Sequence, residues 1–204
     1  MAMRDNISDE YWSQKRRALV GYETGIDTYD RLYSEEQMKK YERCSRYLSG
    51  MSGKMVLDCG CGTGTLLSLL SGQGGFFVGV DYSTAMLKLA RKRDGLADNV
   101  DLICADADNL PFKSASFDRV LSFTMLGNMP EMRRTLRELG RVAGDSAQIL
   151  LSFVKKNVRA DEVLGYIERA SVRLREFIDD EDLKDWIAVG EKSSEAAPES
   201  VNGP

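Results

Sequence analysis

The chain has no histidine among its 204 residues. This absence excludes catalysis by Ser-His-Asp or Cys-His groups, histidine-ligated metal ions and an imidazole proton shuttle. Any general base in this protein must therefore be a carboxylate, a tyrosine, a lysine or a cysteine.

Cysteine is also scarce, with 4 residues at positions 44, 59, 61 and 104. These positions form neither a C-x-x-C pair nor the framework of a disulfide-rich domain. Cys59 and Cys61 could supply two zinc ligands, but no second ligand pair follows them. We therefore expect no metal, and interpret these cysteines as reduced residues that pack beside a loop.

Two further absences concern membranes and nucleic acids. No apolar run approaches the roughly 18–20 residues that span a bilayer, and the first residues lack the apolar region of a secretory signal. The net charge is −4 at pH 7, whereas autonomous nucleic-acid binders usually carry a basic excess. We therefore expect a cytoplasmic protein with no membrane association and no strong nucleic-acid binding of its own. The basic clusters at 15–17 and 91–93 are interpreted as solvated helix faces.

Apolar runs and helical patterns alternate over most of the chain. The apolar runs are short and bounded by Gly, Asp or Ser, which is typical of buried parallel strands; they lie at 55–57, 76–80, 100–104, 117–121 and 148–153. Helical spacing of apolar residues is found between them, at 64–70, 83–93 and 129–142. This alternation predicts an α/β fold with a doubly wound, mostly parallel sheet.

Three segments are expected. Residues 1–50 are charged and rich in tyrosine, with a helix predicted over 35–48, and are interpreted as an N-terminal helical cap. Residues 51–192 form the α/β domain. Residues 193–204 consist mainly of Ser, Glu, Ala, Pro and Gly, which predicts a disordered tail.

A glycine-rich loop follows the first predicted strand. Asp58 ends the strand, and Gly60, Gly62 and Gly64 lead into a helix. Glycine suits backbone that turns with positive φ or lies against a ligand, and ligands of doubly wound sheets bind at this edge. A dinucleotide fingerprint beginning at Gly60 would need its third glycine at position 65, which is Thr65.

The carboxylate beside this loop distinguishes between cofactors. Asp58 is poorly placed beside a pyrophosphate but well placed beside a cation. S-adenosylmethionine carries an ammonium and a sulfonium group and no phosphate. The loop therefore favours S-adenosylmethionine over NAD, the alternative being a tight turn that binds nothing.

Two more carboxylates end later strands. Asp81 comes 17 residues after the last glycine of the loop, where ribose hydroxyls are held in both NAD and S-adenosylmethionine sites. Taken alone, Asp81 fits equally well as a charge at the start of the helix that Ser83 begins. Asp106 follows the third strand and can accept from an adenine amino group, with Met86 and Leu110 as apolar neighbours of the ring. Together the acidic strand ends favour an adenosine-containing cofactor.

At these residues the chain resembles the class I S-adenosylmethionine-dependent methyltransferases, and most closely the subset that includes the ubiquinone and menaquinone biosynthesis C-methyltransferases. The resemblance covers residues 29–192. Its motifs are V-L-D-C-G-C-G-T-G-T-L at 56–66, V-G-V-D-Y-S at 78–83, D-A-D-N-L-P-F at 106–112 and S-F-D-R-V at 116–120. It implies a seven-stranded Rossmann-like methyltransferase fold, an S-adenosylmethionine-binding domain over 51–192, and an antiparallel seventh strand at 185–191.

The resemblance also implies which residues bind S-adenosylmethionine. The glycine loop would hold the methionine end, Asp81 the ribose and Asp106 the adenine, while Ser122 and Phe123 would line the opening for methyl transfer. The implied cofactor-binding residues are Asp58, Gly60, Cys61, Gly62, Gly64, Asp81, Tyr82, Met86, Asp106, Ala107, Ser122 and Phe123.

The chain departs from the family after the fourth strand. Residues 124–129 lack the histidines that many relatives have there, so acceptor chemistry attributed to those histidines does not transfer. No N-P-P-Y or D-P-P-Y motif follows the strand, which argues against methylation of amides or exocyclic amines. The segment between the fifth and seventh strands, residues 155–184, is short and leaves little room for a substrate lid.

The implied activity is methyl transfer from S-adenosylmethionine to an O, N or C nucleophile. The sulfonium methyl is already a strong electrophile, and orientation alone can supply about 7–11 kcal/mol of the barrier. We therefore expect direct in-line transfer without a covalent intermediate. If a base is needed, Tyr29 and Tyr33 are the candidates; the alternative is that they pack the cap onto the sheet.

Three functions remain open. A small-molecule acceptor fits the acidic charge and the aromatic cap. An acceptor in tRNA, rRNA or a translation factor is the second, because residues 29–41 resemble archaeal methyltransferases that work with a small zinc-binding activator protein. The third is a non-catalytic S-adenosylmethionine-binding scaffold subunit, which the intact loop and the three carboxylates disfavour.

Overall fold

Seven strands form one sheet in the computed structural model, which describes residues 9–24, 26–170 and 172–193, without the side chains of 22–29. The strands are β1 (Met55–Cys59), β2 (Phe76–Asp81), β3 (Val100–Cys104), β4 (Phe117–Ser122), β5 (Ala143–Val154), β6 (Val172–Ile178) and β7 (Asp185–Lys192). Their order across the sheet is β3-β2-β1-β4-β5-β7-β6. The first five pair in parallel, and β7 lies antiparallel to β5 and β6. The predicted mostly parallel, doubly wound, seven-stranded sheet is confirmed.

Both faces of this sheet are buried, which explains why its strands are continuous apolar runs. Val56 and Leu57 are adjacent on β1, point to opposite faces and are both fully buried. Each belongs to a separate apolar cluster, one on each side of the sheet. Strand β6, one of the two edge strands, has no such run; it carries charged residues at 173, 175 and 176, which suit an edge.

The helices are α1 (Asp9–Thr24), α2 (Ile26–Arg43), α3 (Thr65–Leu70), α4 (Thr84–Ala90), α5 (Met132–Val142) and α6 (Ala160–Arg169). The side chain of Ser83 caps α4 by accepting a hydrogen bond from the backbone N–H of Met86 at 3.2 Å. Helix α5 begins three residues later than predicted, because Met129 precedes Pro130 and is held in an extended conformation.

The N-terminal helices differ from the single helix predicted over 35–48. Helix α2 begins at Ile26 and ends at Arg43, and a whole further helix, α1, precedes it. Apolar periodicity misses α1 because its two most buried residues are Tyr11 and Lys15, one turn apart. Lys15 thus contradicts the interpretation of the 15–17 cluster as a solvated face, whereas Arg16 and Arg17 are exposed.

The sheet order reverses between β1 and β4, so the crevice of a doubly wound fold lies where these strands end. The carboxyl ends of β1, β2 and β4 carry Asp58, Asp81 and Ser122. None of the described helices is both long and apolar enough to cross a membrane. The tail predicted over 193–204 lies outside the described residues, except for Ser193.

Candidate functional site

A cleft of about 830 Å³, which includes space open to solvent, lies at the carboxyl ends of the strands. Eight of the predicted cofactor-binding residues line it: Gly60, Gly62, Asp81, Tyr82, Met86, Asp106, Ala107 and Phe123. The remaining walls come from α1 and from the segment after β4: Lys15, Ala18, Leu19, Thr124, Met125, Asn128 and Met129, with Cys59, Val80, Ser83 and Ala105 beside the strands. The other four predicted residues, Asp58, Cys61, Gly64 and Ser122, are buried and are not part of the lining.

The glycine loop needs glycine for two different reasons. Gly60, Gly62 and Gly64 have φ angles of 83°, 53° and 77°, which L side chains rarely adopt. A Cβ on Gly60 would lie 2.7 Å from the Cβ of Met125, whereas a Cβ on Gly62 would meet no atom within 4 Å. Gly62 therefore leaves open space in the cleft, where a ligand can lie against the backbone.

Asp81 ties this loop to the start of α4. Its Oδ2 accepts from the N–H of Gly62 at 2.9 Å and its Oδ1 from the N–H of Ser83 at 2.8 Å. Burial raises the pKa of Asp81, and these backbone hydrogen bonds oppose the rise. A carboxylate has about four lone-pair sites, so roughly two remain for a pair of hydroxyl groups. The two sequence interpretations of Asp81, helix start and ribose acceptor, are therefore compatible.

Asp58 is a buried carboxylate without a partner. Only 3% of the residue is exposed, and its carboxylate makes no hydrogen bond or ion pair with any residue that the structure describes. Burial, and secondarily the charge of Asp81, raise the pKa of Asp58 to about 7. A buried ionised carboxylate is unfavourable unless a cation or hydrogen-bond donors accompany it. This position therefore fits a ligand that carries an ammonium group.

The raised pKa of Asp58 leads us to expect that cofactor affinity depends on pH. Because its pKa is raised to about 7 in the ligand-free protein, Asp58 must lose a proton to pair with an ammonium below that pH. We expect the affinity for S-adenosylhomocysteine to fall between pH 8 and 6, by up to about tenfold per unit below 7. Calorimetry in buffers of different ionisation enthalpy measures the affinity and the proton released.

Two variants test whether Asp58 causes this pH dependence. Asp58→Asn should bind more weakly at pH 8 and lose the pH dependence, whereas Asp101→Asn, at an exposed position on β3, should behave like wild type. In the ligand-free protein the sign is opposite: the folded state holds the Asp58 proton more tightly than the unfolded chain, so the free energy of unfolding falls as pH rises towards 7. An Asp58→Asn protein with the wild-type pH profile would contradict this assignment.

Asp106 is held by a lysine that the sequence did not indicate. Lys15 is buried and pairs with Asp106 and, at 2.6 Å, with Asp108. Tyr11 donates to Asp108, and burial together with this contact raises the pKa of Tyr11 to about 12. The Oδ2 of Asp106 has no hydrogen bond to a described residue, so it can still accept from an adenine amino group. The only sequence signal for this cluster is the spacing of Tyr11 and Lys15.

The glycine loop has a second support from α2. The hydroxyl of Thr63 donates to Asp30 at 2.6 Å, and Arg93 donates to the Thr63 carbonyl at 2.6 Å and pairs with Asp30. The prediction of a solvated helix face over 91–93 is therefore wrong for Arg93. Arg91 and Lys92 are exposed, as that prediction requires. The N-terminal helices thus contact both Asp106 and the glycine loop.

The segment after β4 forms another wall of the cleft. Phe123 packs edge-on against Tyr41 of α2, with ring centroids 5.3 Å apart. Ser122 is fully buried, and its hydroxyl has no partner among the described residues. Of the candidate bases, Tyr33 is 48% exposed and is not part of the lining. The Tyr29 side chain lies outside the described residues.

The cysteines of the loop are buried. Cys59 and Cys61 are 0% and 8% exposed, and burial raises the pKa of both thiols well above the ordinary value. A thiol with a raised pKa is a poor nucleophile and a poor metal ligand. Their neighbours are apolar core residues, one cysteine in each of the two clusters.

The chain is similar in sequence to several known proteins. The family model described as a methyltransferase domain matches residues 57–151. A demethylmenaquinone methyltransferase of Clavibacter sepedonicus is 36% identical over 107 residues, which is 52% of this chain and 44% of that protein. The chain spans about half the length of the curated relatives it matches.

Solved structures agree with the fold. The magnesium protoporphyrin IX methyltransferase of Synechocystis, solved with S-adenosylmethionine, superposes with a TM-score of 0.75 at 19% identity, covering 88% of this chain and 97% of that one. A chain from the complex between the Haloferax volcanii Trm112 methyltransferase activator and a methyltransferase superposes with a TM-score of 0.69 at 18% identity, covering 82% and 94%. At these identities the likeness concerns the fold. Residues 57–151 thus match a methyltransferase domain, and the chain is similar to class I S-adenosylmethionine-dependent methyltransferases in the sequence of this domain and in its fold.

Proposed function

We propose that the protein transfers a methyl group from S-adenosylmethionine to an O, N or C nucleophile of a small-molecule acceptor. The observation that carries this proposal is a cleft whose lining has a polar part and an apolar part. The polar part is the open glycine backbone with carboxylates that have unused hydrogen-bonding capacity; the apolar part includes Leu19, Phe123, Met125 and Met129. The polar part suits a cationic nucleoside, and the apolar part suits a mainly apolar acceptor.

The polar residues of the lining, with the buried Asp58 beside them, fit S-adenosylmethionine. Asp58 would pair with its ammonium, Asp81 would accept from the ribose hydroxyls, Asp106 would accept from the adenine amino group, and Gly62 would let the ligand lie against the backbone. When bound, S-adenosylmethionine would supply a methyl group on a sulfonium, which is electrophilic without further activation.

The protein's part is then binding, orientation and exclusion of water. The ionisable side chains that line the cleft are Lys15, Cys59, Asp81, Tyr82 and Asp106. Lys15, Asp81 and Asp106 are engaged by the contacts described above, and the Cys59 thiol has a raised pKa. Orientation of the acceptor is therefore the main contribution that the described residues can make, and it can supply about 7–11 kcal/mol. Helix α1 covers the cleft and would keep water from it.

A macromolecular acceptor with an activator protein is the second candidate. Its support is the fold shared with a chain of the complex that contains the Trm112 activator. Under this alternative the acceptor would be tRNA, rRNA or a translation factor, and transfer would depend on a small zinc-binding partner. The predicted cytoplasmic location applies to both candidates and stays a prediction.

Transfer of labelled methyl groups tests the proposal. Purified protein is incubated with S-adenosyl-[methyl-³H]methionine and extract of the cells that encode it. We expect label in the fraction that passes a small-pore filter, unaffected by ribonuclease. Label retained with RNA or protein would favour the second candidate. No transfer to any fraction, with S-adenosylhomocysteine still bound, would favour the scaffold function.

A further inference from the structure

Thr124 has an unusual backbone conformation at the edge of the cleft. Its φ is +63°, which is a genuine outlier for a β-branched residue. The other non-glycine residues with positive φ in the described part of the chain are both exposed: Ala115 lies on a turn, and Ser146 lies in β5 where its register with β4 shifts. Thr124 instead lines the cleft, next to Met125, whose side chain lies in front of Gly60. A conformation of this kind persists only where its surroundings hold it.

Four side chains from three other elements hold Thr124 in place. Its backbone N–H donates to the hydroxyl of Ser152 on β5 at 2.7 Å. Its own hydroxyl accepts from Lys40 at 2.8 Å and from Gln37 at 3.0 Å, both on α2. Asp185, the first residue of β7, accepts from Ser152 at 2.7 Å and pairs with Lys40 at 2.9 Å.

The ion pair in this network is almost completely buried. The side chains of Lys40 and Asp185 are 1% and 2% exposed. Desolvation of two charges offsets most of their attraction, so apolar residues of similar size usually serve stability as well or better. The Lys40–Asp185 pair therefore adds little stability, yet Lys40 also contacts Thr124, a strained residue of the cleft. Holding Thr124 in position explains why the pair is there.

We propose that Lys40 is a positioning residue for methyl transfer, which acts through Thr124. Lys40 and Asp185 fix Thr124 in its left-handed conformation. This conformation determines the position of residues 124–129, four of which line the cleft. The proposal rests on the proposed function for its consequence in catalysis. The structural part, that Lys40 orders this segment, stands on the contacts alone.

Three variants and one control test this role. Lys40→Met removes the cation. Lys40→Met with Asp185→Leu also removes the unpaired buried charge, which should restore stability. Thr124→Gly keeps the positive φ without strain and deletes the hydroxyl, so it should fold even if the first variant does not. Lys39→Met is the control, because Lys39 lies on the same helix but is exposed and pairs with Glu35.

Amide hydrogen exchange of residues 124–129 and the rate of label transfer are measured on each protein. We expect faster exchange of this segment in all three variants. Turnover at saturating S-adenosylmethionine should fall by about 10²-fold, the loss that a misplacement of about 1 Å can produce. The KM for S-adenosylmethionine should change by less than about threefold, since the glycine loop is intact. Lys39→Met should match wild type.

The outcomes are distinguishable. A stable double variant, or a folded Thr124→Gly protein, with wild-type exchange and turnover would overturn the proposal and leave the pair a purely structural one. If wild type itself transfers no label, the proposed function fails, and exchange of residues 124–129 still decides whether Lys40 orders the segment.

Discussion

Replacing Asp81 by alanine should weaken the binding of S-adenosylhomocysteine by about 2–3 kcal/mol, or roughly 30- to 150-fold. Two losses add to this effect. The ribose hydroxyls lose a charged acceptor, and the backbone N–H groups of Gly62 and Ser83 lose the carboxylate that joins them at 2.9 and 2.8 Å. The second loss loosens the glycine loop before any ligand arrives. Calorimetry at pH 8 measures the change.

Matched variants separate the two contributions. Asp81→Asn keeps one oxygen acceptor, so we expect an intermediate loss of affinity. Asp101→Ala removes an exposed carboxylate from the neighbouring strand and should leave the affinity unchanged. Circular dichroism should show all three proteins folded, because Asp81 ends a strand and is outside the apolar clusters. An unchanged dissociation constant for Asp81→Ala would show that Asp81 only starts the helix.

The fold could be predicted from the sequence because its signals are local. Buried parallel strands are continuous apolar runs, and the acidic residue at the end of a strand is visible in the same few residues. Asp58 and Asp81 therefore appeared in the sequence as strand-end carboxylates, and the structure places Asp58 at the switch point of the sheet and Asp81 at the end of the neighbouring strand. Strand β6 gave no such signal, since an edge strand with charged side chains resembles a loop or a helix.

The support of the site could not be predicted, because it comes from contacts between distant parts of the chain. Lys15 is 91 residues from Asp106 and looks like a surface residue within a basic cluster. Lys40 is separated from Asp185 by most of the α/β domain. Asp30 gave no sign that it would hold Thr63. In each case the N-terminal helices supply a side chain whose partner comes within contact distance only when the α/β domain has folded.

Calorimetric comparison of S-adenosylhomocysteine with NAD tests the central claim most directly. The two ligands share adenosine, so the proposed contacts of Asp81 and Asp106 would favour both. Discrimination between the two ligands must therefore come from the rest of the site. NAD would bring a pyrophosphate towards the glycine loop, where Asp58 is buried without a partner. Lys15, the cation that lines the cleft, is already neutralised by Asp106 and Asp108.

S-adenosylhomocysteine instead brings an ammonium, which would pair with Asp58. We therefore expect saturable binding of S-adenosylhomocysteine at pH 8, lost on addition of excess S-adenosylmethionine, and no measurable heat with NAD at the same concentration. Binding of NAD without binding of S-adenosylhomocysteine would contradict the assignment of this cleft.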